Sequence, residues 1–102
     1  MRLNTEMRCA MQSIIQYEKQ CLVCGTTQNL HSHHIFGNNP NRRHSEKYGL
    51  KVFLCYPHHN GSDKGVHFDK TLDTALKIMA QRKFEEVYPE LNFREIFGKS
   101  YL

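Results

Sequence analysis

Cysteine and histidine fall in two short pairs, Cys21-x-x-Cys24 and Cys55-x-x-His58, with the doublet His33-His34 between them and His59 directly after the second pair. A pair spaced by two residues offers two soft or borderline donors from a single turn, and two such turns can close a tetrahedron around one zinc ion. The pattern constrains the fold, because the segments around Cys21 and Cys55 must meet. Cys21, Cys24, Cys55 and His58 are therefore the expected structural zinc set. Cys-x3-His spacing also occurs, so His59 remains an alternative to His58 as fourth ligand.

A chain of 102 residues suits one domain, expected to span 1–102, with only a modest buried core. A zinc site would staple so small a core. Hydrophobic residues at 39% and charged residues at 24% exclude wholesale disorder. A net charge of +4 and a pI near 9.0 lean toward polyanionic partners. No apolar run reaches the roughly 18 residues of a membrane span, and Met1-Arg-Leu-Asn-Thr-Glu6 lacks the apolar stretch of a signal peptide. The expected setting is the cytoplasm, where cysteines beside histidines bind metal rather than pair as disulfides. Cys9 stands apart and reads as a small buried hydrophobe on a helix.

Leu3, Met7, Ala10, Met11, Ile14 and Ile15 recur at helical spacing, and with Asn4 or Thr5 as N-cap they predict an amphipathic helix over residues 5–18. Gln20 to Thr27 reads as a knuckle-like turn around Gly25. Asn29 to Ile35 reads as a strand, Gly37 to Ser45 as a loop for its Gly, Pro and Asn content, and Leu50 to Cys55 as a second strand. Pro57 suits the N1 position of a short helix that carries His58 and His59 and ends by Gly61. A loop to Gly65 and the segment Val66-His67-Phe68 lead to a longer helix from about Asp69 to Tyr88, where Leu72, Leu76, Ala80, Phe84 and Tyr88 form a stripe. Pro89 stops it, and Phe93, Ile96, Phe97 and Tyr101 imply a docked C-terminal segment.

Zinc accounts for folding but not for the other histidines, which are numerous in a chain with seven. On a strand, His33 and His34 point to opposite faces. One can hold a metal while the other reaches water from a different direction. A neutral imidazole, with an unperturbed pKa of about 6.5, accepts a proton near neutral pH, and a metal ion stabilises charge on a scissile phosphate and its leaving oxygen. That division of labour suits phosphodiester hydrolysis.

His33-His34-Ile35, set between Cys21-x-x-Cys24 and Leu54-Cys55-x-x-His58-His59, resembles the HNH or His-Me finger endonucleases, and most closely their zinc-containing phage-type members. The resemblance covers residues 20–68 or so. It implies an α+β fold whose centre is a zinc-stapled ββα-metal finger, a β-hairpin followed by a helix gripping one divalent metal, flanked here by an N-terminal helix and a longer C-terminal one. By position it implies that His34 is the general base and that His33 and His59 hold Mg²⁺ or another divalent ion, with His67 as a further ligand or phosphate contact. The family commonly has Asp where His33 stands and Cys where His58 stands. A polar residue between doublet and helix usually orients the base; Asn38, Asn39, Asn41 and Asn60 are candidates. His31 and His44 read as surface or supporting residues, and Arg42 and Arg43 as a basic pair able to contact phosphate.

The resemblance implies hydrolysis of DNA phosphodiester bonds, leaving a 5′-phosphate and a 3′-hydroxyl. It also implies a phage or prophage setting, with phage or prophage protein partners or a homodimer as possible assemblies. The alternative is a non-catalytic zinc module that binds nucleic acid, or an interaction domain that kept the scaffold without the activity. The doublet His33-His34 separates these readings, since a purely structural knuckle has no use for it.

Overall fold

The β-branched and aromatic run before Cys55 forms a strand, and its partner is the histidine-rich segment. In the computed structural model, which describes residues 12–38, 40–61, 65–67 and 69–102, β1 (Leu30–His34) pairs antiparallel with β2 (Lys51–Cys55). The fold is a small α+β arrangement with this two-stranded sheet, in the order β1, α1 (Asn41–Tyr48), β2, α2 (Tyr56–Asn60), α3 (Lys70–Val87) and α4 (Phe93–Phe97).

Register decides which face each histidine takes. His33 lies opposite Val52 and His31 opposite Leu54, while His34 lies opposite Lys51 and Ser32 opposite Phe53. Cross-strand partners share a face, so His31 and His33 lie on the side where Val52 and Leu54 are buried. His34 and Lys51 share the other side.

Two expectations are corrected. The loop over Gly37 to Ser45 holds the start of a helix, α1, from Asn41. Its sequence carries no apolar stripe, so periodicity gives no signal. It is held from outside: the Ser45 hydroxyl accepts from Phe36 N at 3.1 Å and donates to Phe36 O at 3.0 Å, and Asn41 Nδ2 donates to Phe97 O at 3.0 Å. Gly49 ends α1 with φ +75°, and a Cβ there would stand 2.5 Å from Gln12 O, so glycine is required on both counts. Of the predicted N-terminal helix over residues 5–18, residues 5–11, with Cys9, lie outside the described residues, and residues 12–18 are not helical. Those residues instead line the hairpin, with Ile14 N donating to Gly49 O at 3.0 Å and Phe53 N to Gln16 Oε1 at 2.7 Å.

The long C-terminal helix forms as expected, capped by Asp69, whose carboxylate accepts from Thr71 N and Leu72 N. Leu76, Ala80 and Phe84 are its buried stripe. Phe84 is fully buried and meets Tyr48, Phe93 and Phe97 edge to face with centroids 5.3, 5.4 and 5.9 Å away. Phe36, just past β1, joins the same cluster at 4.9 Å from Phe97. The C-terminal segment docks as predicted: buried Gln81 accepts from Tyr101 N at 2.7 Å and donates to Ser100 Oγ at 3.1 Å. This core lies beneath α1 and the end of β1 and steadies the segment that carries the histidine doublet. Among the described residues no helix is long and apolar enough to cross a membrane.

Candidate metal centre

Cys21, Cys24, Cys55 and His58 lie close together and could hold a metal ion such as zinc. The knuckle turn closes by Gly25 N donating to Cys21 O at 2.8 Å and Cys21 N to Thr26 O at 2.8 Å, with Gly25 at φ +80°. Leu22 N donates to Phe53 O at 2.9 Å, tying the turn to β2. At the other end, Pro57 in the first turn of α2 starts a helix directly after Cys55, which returns His58 onto the sulfurs.

The spacing fits a tetrahedron. Zn–S bonds of about 2.3 Å and Zn–N bonds of about 2.0–2.1 Å give S···S edges of about 3.8 Å and S···N edges of about 3.6 Å. Cys24 Sγ is 3.7 Å from Cys55 Sγ, and His58 Nδ1 is 3.7 Å from Cys21 Sγ and 3.2 Å from Cys55 Sγ. The described cysteines are all free thiols. Burial raises the Cys21 thiol, but backbone N–H groups of Cys55, Cys24 and Val23 outweigh it and bring it down to about 6. Cys55 is pushed up by burial and by its thiol neighbours. Packed sulfurs of this kind ionise together only when a cation neutralises them, which is the chemistry of a structural zinc.

A second cluster begins one residue later. His33, His59 and His67 bring ring nitrogens to within 4.8 Å of one another. His59 Nε2 lies 3.0 Å from His67 Nε2, close to the edge of about 3.0–3.4 Å that two metal–nitrogen bonds of about 2.1 Å subtend at 90–109°. His67 reaches this place because Gly65 N donates to Gly61 O at 3.0 Å and Val66 N to His58 O at 2.7 Å, folding the chain back over α2.

His33 gives the sharpest signal. It is 6% exposed, and its Nε2 is a buried polar atom with no hydrogen-bond partner among the described residues. An orphaned buried nitrogen is costly unless something fills its lone pair. Burial first, and then the neighbouring His59 and His67, lower its pKa to about 4, so the ring is neutral at pH 7 and its lone pair is free for a cation. His59 is lowered as well, by burial and by His67 and His31. The donor chemistry therefore fits a divalent ion held by three imidazoles.

His31 belongs to the support of this cluster: its Nδ1 lies 3.0 Å from His59 Nδ1, on the side of the ring away from His67. If His59 faces a metal through Nε2, its Nδ1 carries the proton and donates to His31.

His34 leaves the strand on the opposite side from His33, yet both line one surface depression of ≈ 220 Å³ together with Ser32, Gly37, Arg42, His59 and His67. Arg42 thus stands at the cluster. Arg43 is exposed and does not line the depression, and His44 packs its ring edge against Phe97 at 5.6 Å. The asparagines named as partners for the base do not reach His34 among the described residues. Asn41 bonds Phe97, Asn60 lies 3.1 Å from His59, the Asn38 carbonyl accepts from Arg42 N, and Asn39 is outside the described residues. His34 Nε2 instead lies 2.8 Å from Glu46 Oε1 on α1, and Lys51 Nζ lies 2.8 Å from Glu46 Oε2. No motif marks Glu46, because its relation to His34 exists only once the unexpected α1 is folded.

The chain matches no family model, and neither a curated protein nor a solved structure matches it. What defines it is its own geometry: a small α+β scaffold carrying a Cys3His cluster and, adjoining it, a three-histidine cluster.

Proposed function

We propose that this chain is a metal-dependent endonuclease of the HNH or His-Me finger type, with β1, β2 and α2 as a zinc-stapled ββα-metal finger. The observation that carries the reading is the burial of His33, whose Nε2 has no partner among the described residues, in one group with His59 and His67, while the adjacent His34 opens onto the same depression. Cys21, Cys24, Cys55 and His58 hold the zinc that keeps β1, β2 and α2 in place. His33, His59 and His67 hold the second ion.

When bound there, a divalent ion acts as a Lewis acid for a scissile phosphate and its leaving 3′-oxygen. His34 accepts the proton of a water molecule positioned on the far side of the phosphorus. Arg42, at the rim, contacts a phosphate oxygen and holds the backbone in line. His31 backs His59 on the Nδ1 side of its ring. The net charge of +4 favours the approach of a nucleic-acid backbone. DNA is the substrate class that the resemblance implies.

Nicking of supercoiled plasmid DNA tests the proposal. Wild-type protein with Mn²⁺, Co²⁺ or Ni²⁺ should convert supercoiled to open circles, EDTA should stop it, and His34→Ala should lower the rate by about 10²- to 10⁴-fold. Equal rates for wild type and His34→Ala would remove the general-base assignment. Binding without cleavage under every ion would favour a non-catalytic zinc module.

A further inference from the structure

We propose that Glu46, fastened by Lys51, is the positioning residue for His34, engaging its Nε2–H and leaving Nδ1 as the nitrogen that accepts a proton. Its catalytic consequence rests on the nuclease reading above; its structural content does not.

The two carboxylate oxygens have different jobs. Oε1 is 2.8 Å from His34 Nε2 and Oε2 is 2.8 Å from Lys51 Nζ. An ionised carboxylate only accepts hydrogen bonds. The imidazole nitrogen facing it therefore carries the proton, and in the neutral ring the lone pair then lies on Nδ1. Burial works against a charge on Glu46, but hydrogen bonds from Lys51 and His34 outweigh it and hold the carboxyl below its usual range.

Three elements fix the arrangement. His34 and Lys51 are register partners on one face of the hairpin, so the sheet sets the two donors side by side. Glu46 comes from α1, and its neighbour Ser45 is fully buried and bonded both ways to the Phe36 backbone. The carboxylate is thus anchored where it meets both donors. A carboxylate behind an imidazole sets tautomer and direction and stabilises the imidazolium that forms when the ring takes a proton.

Nitrogen-15 NMR of the zinc-loaded full chain, with the His34 signals identified by their loss in His34→Asn, reads the tautomer directly. The expected result is Nε2–H in wild type, and a mixture of both tautomers in Glu46→Gln and Glu46→Ala. Both variants should keep their zinc and a wild-type circular dichroism spectrum. In the nicking assay, Glu46→Gln should lower kcat by about 10- to 10³-fold with KM for DNA changed by less than about threefold. An Nδ1–H tautomer in wild type overturns the inference, as does a Glu46→Gln variant whose tautomer and kcat match wild type. If the tautomer shifts as expected and no variant or wild type cleaves DNA, the positioning role stands and the nuclease reading falls. If wild type and Glu46→Gln cleave alike with one tautomer, the reverse holds.

Discussion

His58 and His59 are consecutive, yet each turns to a different cluster: His58 Nδ1 lies 3.2 Å from Cys55 Sγ, and His59 Nε2 lies 3.0 Å from His67 Nε2. One turn of α2 thus joins a sulfur-rich set to an all-imidazole set. The fourth position of the first cluster, open between the two residues in the sequence, goes to His58 by geometry.

Substitution should separate the two. His58→Ala is expected to weaken zinc binding by more than about 100-fold, beyond the cost of losing a mere outer-shell partner, while His59→Ala leaves it within about threefold. Competition with a chromogenic chelator measures both. Cys21→Ser should remove the metal and the cooperative unfolding transition together, because zinc-binding free energy is folding free energy in so small a scaffold.

Ion preference follows from the donors. His33, His59 and His67 offer three imidazoles, and no carboxylate belongs to that set among the described residues. Imidazole suits Co²⁺, Ni²⁺ and Zn²⁺, whereas Mg²⁺ prefers oxygen ligands and retains its waters. Calorimetric titration of the zinc-loaded protein should therefore show Co²⁺ or Ni²⁺ binding at least about 100-fold more tightly than Mg²⁺. Similar affinities would mean that oxygen ligands complete the site.

Acid should destabilise the fold through His33. Its folded-state pKa is about 4 against an ordinary value of 6.5, because burial and the adjacent His59 and His67 disfavour the charged ring. The unfolded chain binds more protons between those values, so stability is fully present above pH 6.5 and is lost as pH falls toward 4. The loss amounts to roughly 3 kcal/mol for this group. Urea unfolding of wild type and His33→Asn across that window isolates it from acid loss of zinc: the wild-type curve should fall more steeply, and parallel curves would contradict the assignment.

Phe84 should be the most sensitive core position. It is fully buried and contacts Tyr48, Phe93 and Phe97. Phe84→Ala is expected to cost about 3–5 kcal/mol by chemical denaturation, since the aromatic shell around it cannot collapse to fill the space.

Much of this architecture is legible in the residues. The spacing of Cys21, Cys24, Cys55 and His58 forces two distant turns together, and the stripe through Leu76, Ala80 and Phe84 defines α3. Strand alternation sends His33 and His34 to opposite faces, and the register gives His33 apolar neighbours. What escapes the sequence depends on tertiary contacts. The segment Asn41–Tyr48 has no apolar period and is helical because Ser45, Asn41 and Gly49 are held by residues far along the chain. Glu46 is invisible for the same reason. The stretch of residues 12–18 has helical spacing at Ile14 and Ile15, but its backbone and side chains bond the hairpin instead.

The buried His33 is the proposed ligand on which the second ion depends. Cobalt titration of the metal-free protein, refolded in the presence of the ion, tests this most directly, because thiolate-to-cobalt absorption reports the cysteine cluster and d–d bands without it report the histidines. Wild type should take up two equivalents, one with and one without the sulfur band, and His33→Ala should keep the first and lose the second. A wild-type protein that binds only the sulfur-linked equivalent, or a His33→Ala variant that still binds both, would contradict the account.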